Sequence, residues 1–134
     1  MAGVIPQCLA LVPCEAVLTD ESGRRLTVVG AFHSFEVERL PAVAERFVVW
    51  AQVTDCNGAM ELGIALERVP KDTPEVELIW HAGRQLPAGD PRVIHDYRVP
   101  VPHFVLTHDG EYRIALMANN RTLVQRYFVV ERAP

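Results

Sequence analysis

Five histidines, three cysteines and two serines set the limit on the chemistry this chain can do. A zinc site needs imidazoles or thiolates brought to one point from closely spaced positions. His33, His81, His95, His103 and His108 are scattered, and no two have that face-sharing spacing. Cys8, Cys14 and Cys56 form no C-x-x-C pair. Cys56 sits beside Asn57-Gly58 without a basic neighbour to favour its thiolate. Neither Ser22 nor Ser34 lies in a G-x-S-x-G elbow. Calcium requires clustered carboxylates, whereas Asp20 with Glu21, Asp55 with Asn57, Asp90, and Asn119 fall in four different turns with no D-x-D spacing. The His108-Asp109 pair reads as turn structure, with Asp bonding local backbone, and His95 as a satisfied histidine at the edge of a core. The expectation is a protein that is not an enzyme and carries no metal or cofactor.

Binding is the function left, and it depends on elements that present side chains on a surface. The dominant period is two. In "AMELGIALER", Met60, Leu62, Ile64 and Leu66 alternate with Glu61, Gly63, Ala65 and Glu67, which puts one set on a core face and the other outside. "GEYRIAL" repeats the pattern with Tyr112, Ile114 and Leu116. "LTVVGAF", "RFVVWAQV", "VELIW", "RVIHDYRVPV" and "LVQRYFVV" are rich in β-branched and aromatic residues, as strands are. "DESG", "DCNG", "PKDTP" and "ANNR" supply turns between them. "LPAVAER" has room for a helical turn at most, and Ala82 to Asp90 reads as a loop. About eight short, mostly antiparallel strands predict an all-β, immunoglobulin-like two-sheet sandwich, with residues 1–134 as one domain.

Composition agrees. A chain of 134 residues is long enough to bury a core without metals or disulfides. A net charge of -4 disfavours nucleic acid and anionic membranes, which attract basic surfaces. No apolar run approaches the ~18–20 residues that span a bilayer. The start, "MAGVIPQCLALVPCEAVL", lacks a basic leader and is interrupted by Pro6 and Pro13, so it does not read as a signal peptide. Three cysteines suit reduced thiols better than a disulfide framework. Lys71 is the sole lysine among 13 basic residues, a bias expected of a GC-rich bacterial genome. A cytoplasmic location follows.

In an immunoglobulin-like order the third, seventh and eighth strands share one sheet (C, F and G). With Phe47, Val49, Ala51 and Val53 inward, Val48, Trp50 and Gln52 face out; in the opposite phase Phe47, Val49 and Ala51 do. Ala115 and Met117 face out on the seventh strand, and Leu123, Tyr127 and Val129 on the eighth, a phase that turns Arg126 inward. Val48, Trp50, Ala115, Met117, Leu123, Tyr127 and Val129 are thus expected to form one apolar patch. Patches larger than a few hundred Å² usually mark interfaces, so a protein partner, or a second copy in a homodimer, is expected there. The competing expectation is that the chain covers this face itself. A second class of function, a small-ligand or carbohydrate module, would use a loop end carrying Arg84, Asp55 and Asn119.

Two resemblances bear on the fold. Asp109, Gly110 and Tyr112 resemble the tyrosine corner that opens the F strand of immunoglobulin-like sandwiches, which implies that the Tyr hydroxyl bonds backbone upstream. Ile114 stands where the second disulfide cysteine of true immunoglobulin domains would fall. Over most of its length the chain is also similar to a small bacterial family of cytosolic β-sandwich domains of unknown function. That likeness is carried by Thr19 to Gly30, Phe32, Pro41, Phe47, Gly110 to Ile114, Phe128 and Val130. It implies a fold and no activity.

Overall fold

Alternation becomes strand along the described residues, but the strands there number twelve. A computed structural model describes residues 5–134 and contains β1 (Gln7–Cys14), β2 (Ala16–Thr19), β3 (Leu26–Val29), β4 (Ser34–Val37), β5 (Ala42–Ala44), β6 (Phe47–Thr54), β7 (Met60–Val69), β8 (Glu77–Leu86), β9 (His95–Val101), β10 (Phe104–Leu106), β11 (Gly110–Ala118) and β12 (Arg121–Arg132). The described residues form no helix, so none is long and apolar enough to cross a membrane. The excess over eight comes from pieces of three or four residues, too short to show a period. "LPAVAER" is one such case: it holds β5, which pairs with β10. The loop expected from Ala82 is instead strand as far as Leu86, because Gly83 and Arg84 obscure the alternation there.

The strands form sheets β1-β6-β9 and β4-β12-β11-β7-β8, with two small sheets, β10-β5 and β2-β3. Every pairing is antiparallel except that of β12 with β4. The expected inward sets are all inside: Phe47, Val49, Ala51 and Val53 on β6, Met60, Leu62, Ile64 and Leu66 on β7, and Tyr112, Ile114 and Leu116 on β11. Residues of both larger sheets join one hydrophobic cluster. Phe128 lies at its centre, 1% exposed. Its ring stacks on Tyr112 at 5.5 Å and Phe35 at 5.6 Å, and meets Phe32 and Phe47 edge-on at 5.8 and 6.4 Å.

Two bonds secure this core. The Tyr112 hydroxyl donates to the His108 carbonyl at 2.6 Å, the bond that the tyrosine-corner resemblance implies. Gly110, two residues earlier, takes φ +111°, which only glycine adopts without strain. Arg126 does turn inward, where its Nη1 donates to the Leu11 carbonyl of β1 at 2.9 Å. A long cation so placed satisfies an acceptor that would otherwise be lost from water, and it ties β12 to the other sheet.

Candidate functional site

The expected patch is divided between two sheets. β6 pairs with β1 and β9, while β11 and β12 pair with each other in the five-stranded sheet. Val48 and Trp50 therefore cannot adjoin Ala115, Met117, Tyr127 and Val129, and the shared C-F-G sheet is corrected by this pairing. Strand order is a long-range property that alternation within a strand does not carry.

The Val48–Trp50 side is taken by the chain itself. Both residues are partly buried. Trp50 Nε1 donates to Asp96 Oδ1 at 3.1 Å, and Asp96 pairs with Arg98 at 3.1 Å. Arg98 Nη2 in turn donates to Thr19 Oγ1 at 2.8 Å, which brings the β2–β3 hairpin onto this face. Cys14 stands opposite Val48 on the same outward phase yet is completely buried. Here the competing expectation holds, and the interface role of Val48 and Trp50 is withdrawn.

Leu123 also changes sides. The register of β11 with β12 slips at Leu116/Met117: Leu116 faces Val124, but Met117 faces Thr122. Leu123 is the extra residue of this bulge and packs against the core. The bulge reverses the phase of the preceding residues, which sequence alternation alone does not reveal. Tyr127 and Val129 keep the expected outward phase and are 45% and 37% exposed. Met117 is partly buried, and Ala115, although on the outer side, is covered to 3% exposure by its neighbours.

The outer face of the five-stranded sheet is therefore what remains of the candidate surface, and it extends where sequence reasoning did not look. Gly63 of β7 stands directly opposite Gly83 of β8, and Ala65 opposite both His81 and Ala115. These small side chains floor a shallow groove of about 560 Å³, bordered by Glu61, Gln85, Leu78 and Met117. Gln85 Nε2 donates to Glu61 Oε2 at 2.8 Å along one border. On the other, Arg113 Nε donates to Glu67 Oε1 at 2.9 Å, a cross-strand pair only 20% and 19% exposed. The hydrogen bond to the Glu67 carboxylate pushes the Arg113 guanidinium pKa up. A pair of glycines facing each other in alternating strands is the signal that could have marked this groove.

The loop-end alternative is not assembled. Asn119 lines a smaller groove with Asn57 and Arg121, while Arg84 and Asp55 lie outside it. The Asn119 side chain is engaged, its Oδ1 accepting from the Glu61 amide at 2.9 Å. His108 bonds its neighbour instead of Asp109, with Thr107 Oγ1 and His108 Nδ1 2.8 Å apart. Among the described residues no three His, Cys, Asp or Glu side chains are grouped to hold a metal ion.

The thiols are free but not activated. Burial pushes Cys8, Cys14 and Cys56 above the ordinary thiol value, and Asp55 adds to the rise at Cys56. Burial also raises the Tyr97 and Tyr112 phenols. The folded chain therefore keeps protons that the unfolded chain gives up. This contribution to stability is fully present below the unfolded pKa values and is lost as pH climbs past them, about 8.5 for thiols and about 10 for phenols. The urea midpoint is expected to fall between pH about 8 and about 11. A midpoint constant across that range would mean that these groups are as solvated folded as unfolded.

Comparison with known proteins identifies a family and a fold. A model described as a family of unknown function, DUF6941, matches residues 9–131. No curated protein matches the chain. Among solved structures, similarity is found to the Pseudomonas fluorescens alkylpurine DNA glycosylase AlkC bound to DNA containing an abasic site analog. The TM-score is 0.51 at 11% identity, covering 92% of this chain and 30% of that one. A β-glucosidase from Listeria innocua in complex with glucose gives 0.49 at 10%, covering 95% and 16%. One from Kluyveromyces marxianus, also with glucose, gives 0.43 at 14%, covering 84% and 16%. The chain thus spans less than a third of each of these structures, and the likeness to the glycosylase is one of fold alone.

Proposed function

We propose that this chain, which belongs to the DUF6941 family of unknown function, is a non-enzymatic protein-binding module acting through the outer face of its five-stranded sheet. Its architecture is read as an immunoglobulin-like two-sheet sandwich. The single core shared by the two larger sheets supports that reading, as does the Tyr112 corner bond. Dispersed histidines, and thiols whose pKa values burial raises, favour binding over catalysis. Free thiols favour a cytoplasmic setting, and the net charge of -4 favours protein over nucleic acid or membrane as partner.

One observation carries the proposal. Tyr127, Val129 and Leu78 remain 45%, 37% and 55% exposed on the outer face of this sheet, which Gly63 and Gly83 hollow toward its β8 edge. Aromatic side chains are enriched at interface cores. Glycine inside a strand costs stability unless something approaches closely. Covering these side chains would supply about 25 cal/mol per Å² before the cost of association.

The test is site-directed photocrosslinking in cells. A benzophenone amino acid replacing Tyr127 is expected to give one discrete protein adduct, and the same probe at Val43, which is 66% exposed on β5, none. Gly63→Arg, which fills the groove, should abolish the Tyr127 adduct. Equal labelling from both positions, or an adduct that survives Gly63→Arg, would overturn the assignment.

A further inference from the structure

We propose that two copies of this chain pair through the open edge of β8, antiparallel about a two-fold axis, so that their five-stranded sheets become one. Unpaired N–H and C=O groups along a sheet edge are a template for another strand, and proteins usually blunt them with proline, lysine, bulges or short length. The other edges of the two large sheets are blunted. β1 contains Pro13 and a register shift between Cys8 and Ala10; its Leu11 carbonyl accepts from Arg126 and its Pro13 carbonyl from the Phe32 amide. β9 contains Pro100, which has no N–H, and Pro102 follows the strand. β4 is four residues long.

β8 is different. It has ten residues, ELIWHAGRQL, with neither proline nor lysine. Among the described residues its backbone hydrogen bonds run to β7 alone. A register shift at Ile79 disturbs only its start, and Trp80 to Leu86 stay in step with Met60 to Leu66.

The occupant proposed is a second copy, and charge sets how it lies. β8 is acidic at its beginning, with Glu77 and the preceding Glu75, and basic toward its end at Arg84. Antiparallel copies bring each acidic end toward the other's basic end, while parallel copies would oppose like charges. Arg68 of the same chain already pairs with Glu77 at 2.8 Å, so Glu75 carries most of the acidic end's attraction for Arg84. A two-fold axis uses one edge from each copy and leaves no comparable edge free, so growth stops at two. This edge is separate from Tyr127, because β7 and β11 lie between β8 and β12. The groove also takes Leu78 and Gly83 from β8, so the two contacts are read by different measurements: the edge by sedimented mass, the outer face by the Tyr127 adduct.

Sedimentation of the intact chain is expected to show twice the 15.0 kDa chain mass. Neighbouring residues of a strand send their N–H groups to opposite edges, so either His81→Pro or Ala82→Pro removes an edge donor while sparing the β7 ladder. That variant, folded by circular dichroism, should sediment as one chain. Hydrogen exchange on the unmodified protein gives a check that does not depend on either variant folding. Edge-facing amides between Trp80 and Leu86 should be protected in concentrated samples and lose protection on dilution. A single-chain mass for the unmodified protein would overturn the proposal, including the case where β8 amides gain protection only from a different protein. So would a two-chain mass in both variants when folded, or edge amides that exchange at the same rate at every concentration.

Discussion

Phe128→Ala is expected to lower stability by about 3–5 kcal/mol, the range for emptying an aromatic core site. The side chain is 1% exposed and its ring touches four other aromatic rings: Tyr112 on β11, Phe35 on β4, Phe32 before β4, and Phe47 on β6. Those partners come from both large sheets, so the cavity opens where the sheets meet and no single strand can shift to close it. A domain of this size has about 5–15 kcal/mol in total, and the melting temperature should drop by roughly 10–20 °C. Chemical denaturation should shift its midpoint without changing its slope, because the unfolded surface hardly changes. A loss below about 1 kcal/mol would mean that the site collapses freely, contrary to a core packed from two sides.

Gly110→Ala isolates a different force. A Cβ at Gly110 would meet no heavy atom within 4 Å, yet the backbone there has φ +111°. Any loss is therefore conformational strain, expected at about 1–3 kcal/mol. Gly63→Ala is the matched control: its Cβ would make ordinary contacts, 3.6 Å to the Ala82 carbonyl oxygen and 3.8 Å to Met117 Cβ. Without strain to offset it, that change is expected to stabilise by about 0.4–1 kcal/mol through the unfolded chain. Equal effects at the two positions, read from urea midpoints, would show that the backbone at Gly110 relaxes, and the Tyr112–His108 bond beside it with it.

These two substitutions lie within features that the sequence displays, and the candidate site does not. The inward sets on β6, β7 and β11, the turns, and the corner at Asp109-Gly110-x-Tyr112 can be read from residue order, because each arises within a few neighbouring residues. Side-chain alternation and backbone φ are local quantities. The phase of Phe128 and Val130 also turns Arg126 inward, which by alternation alone counts against that phase; the Leu11 carbonyl that receives the guanidinium lies on a distant strand.

What covers or exposes a face was decided elsewhere. Whether Trp50 adjoins Tyr127 depends on which strands pair, and pairing is chosen by the whole core. Leu123 turned inward because one extra residue entered β12 opposite Met117. The groove at Gly63 exists because β8 sets Gly83 against it across twenty residues of chain. Alternation told each strand which of its sides is apolar, a property of the strand alone. Only tertiary structure could say which apolar side finds a cover, since burial is a relation between segments distant in the chain.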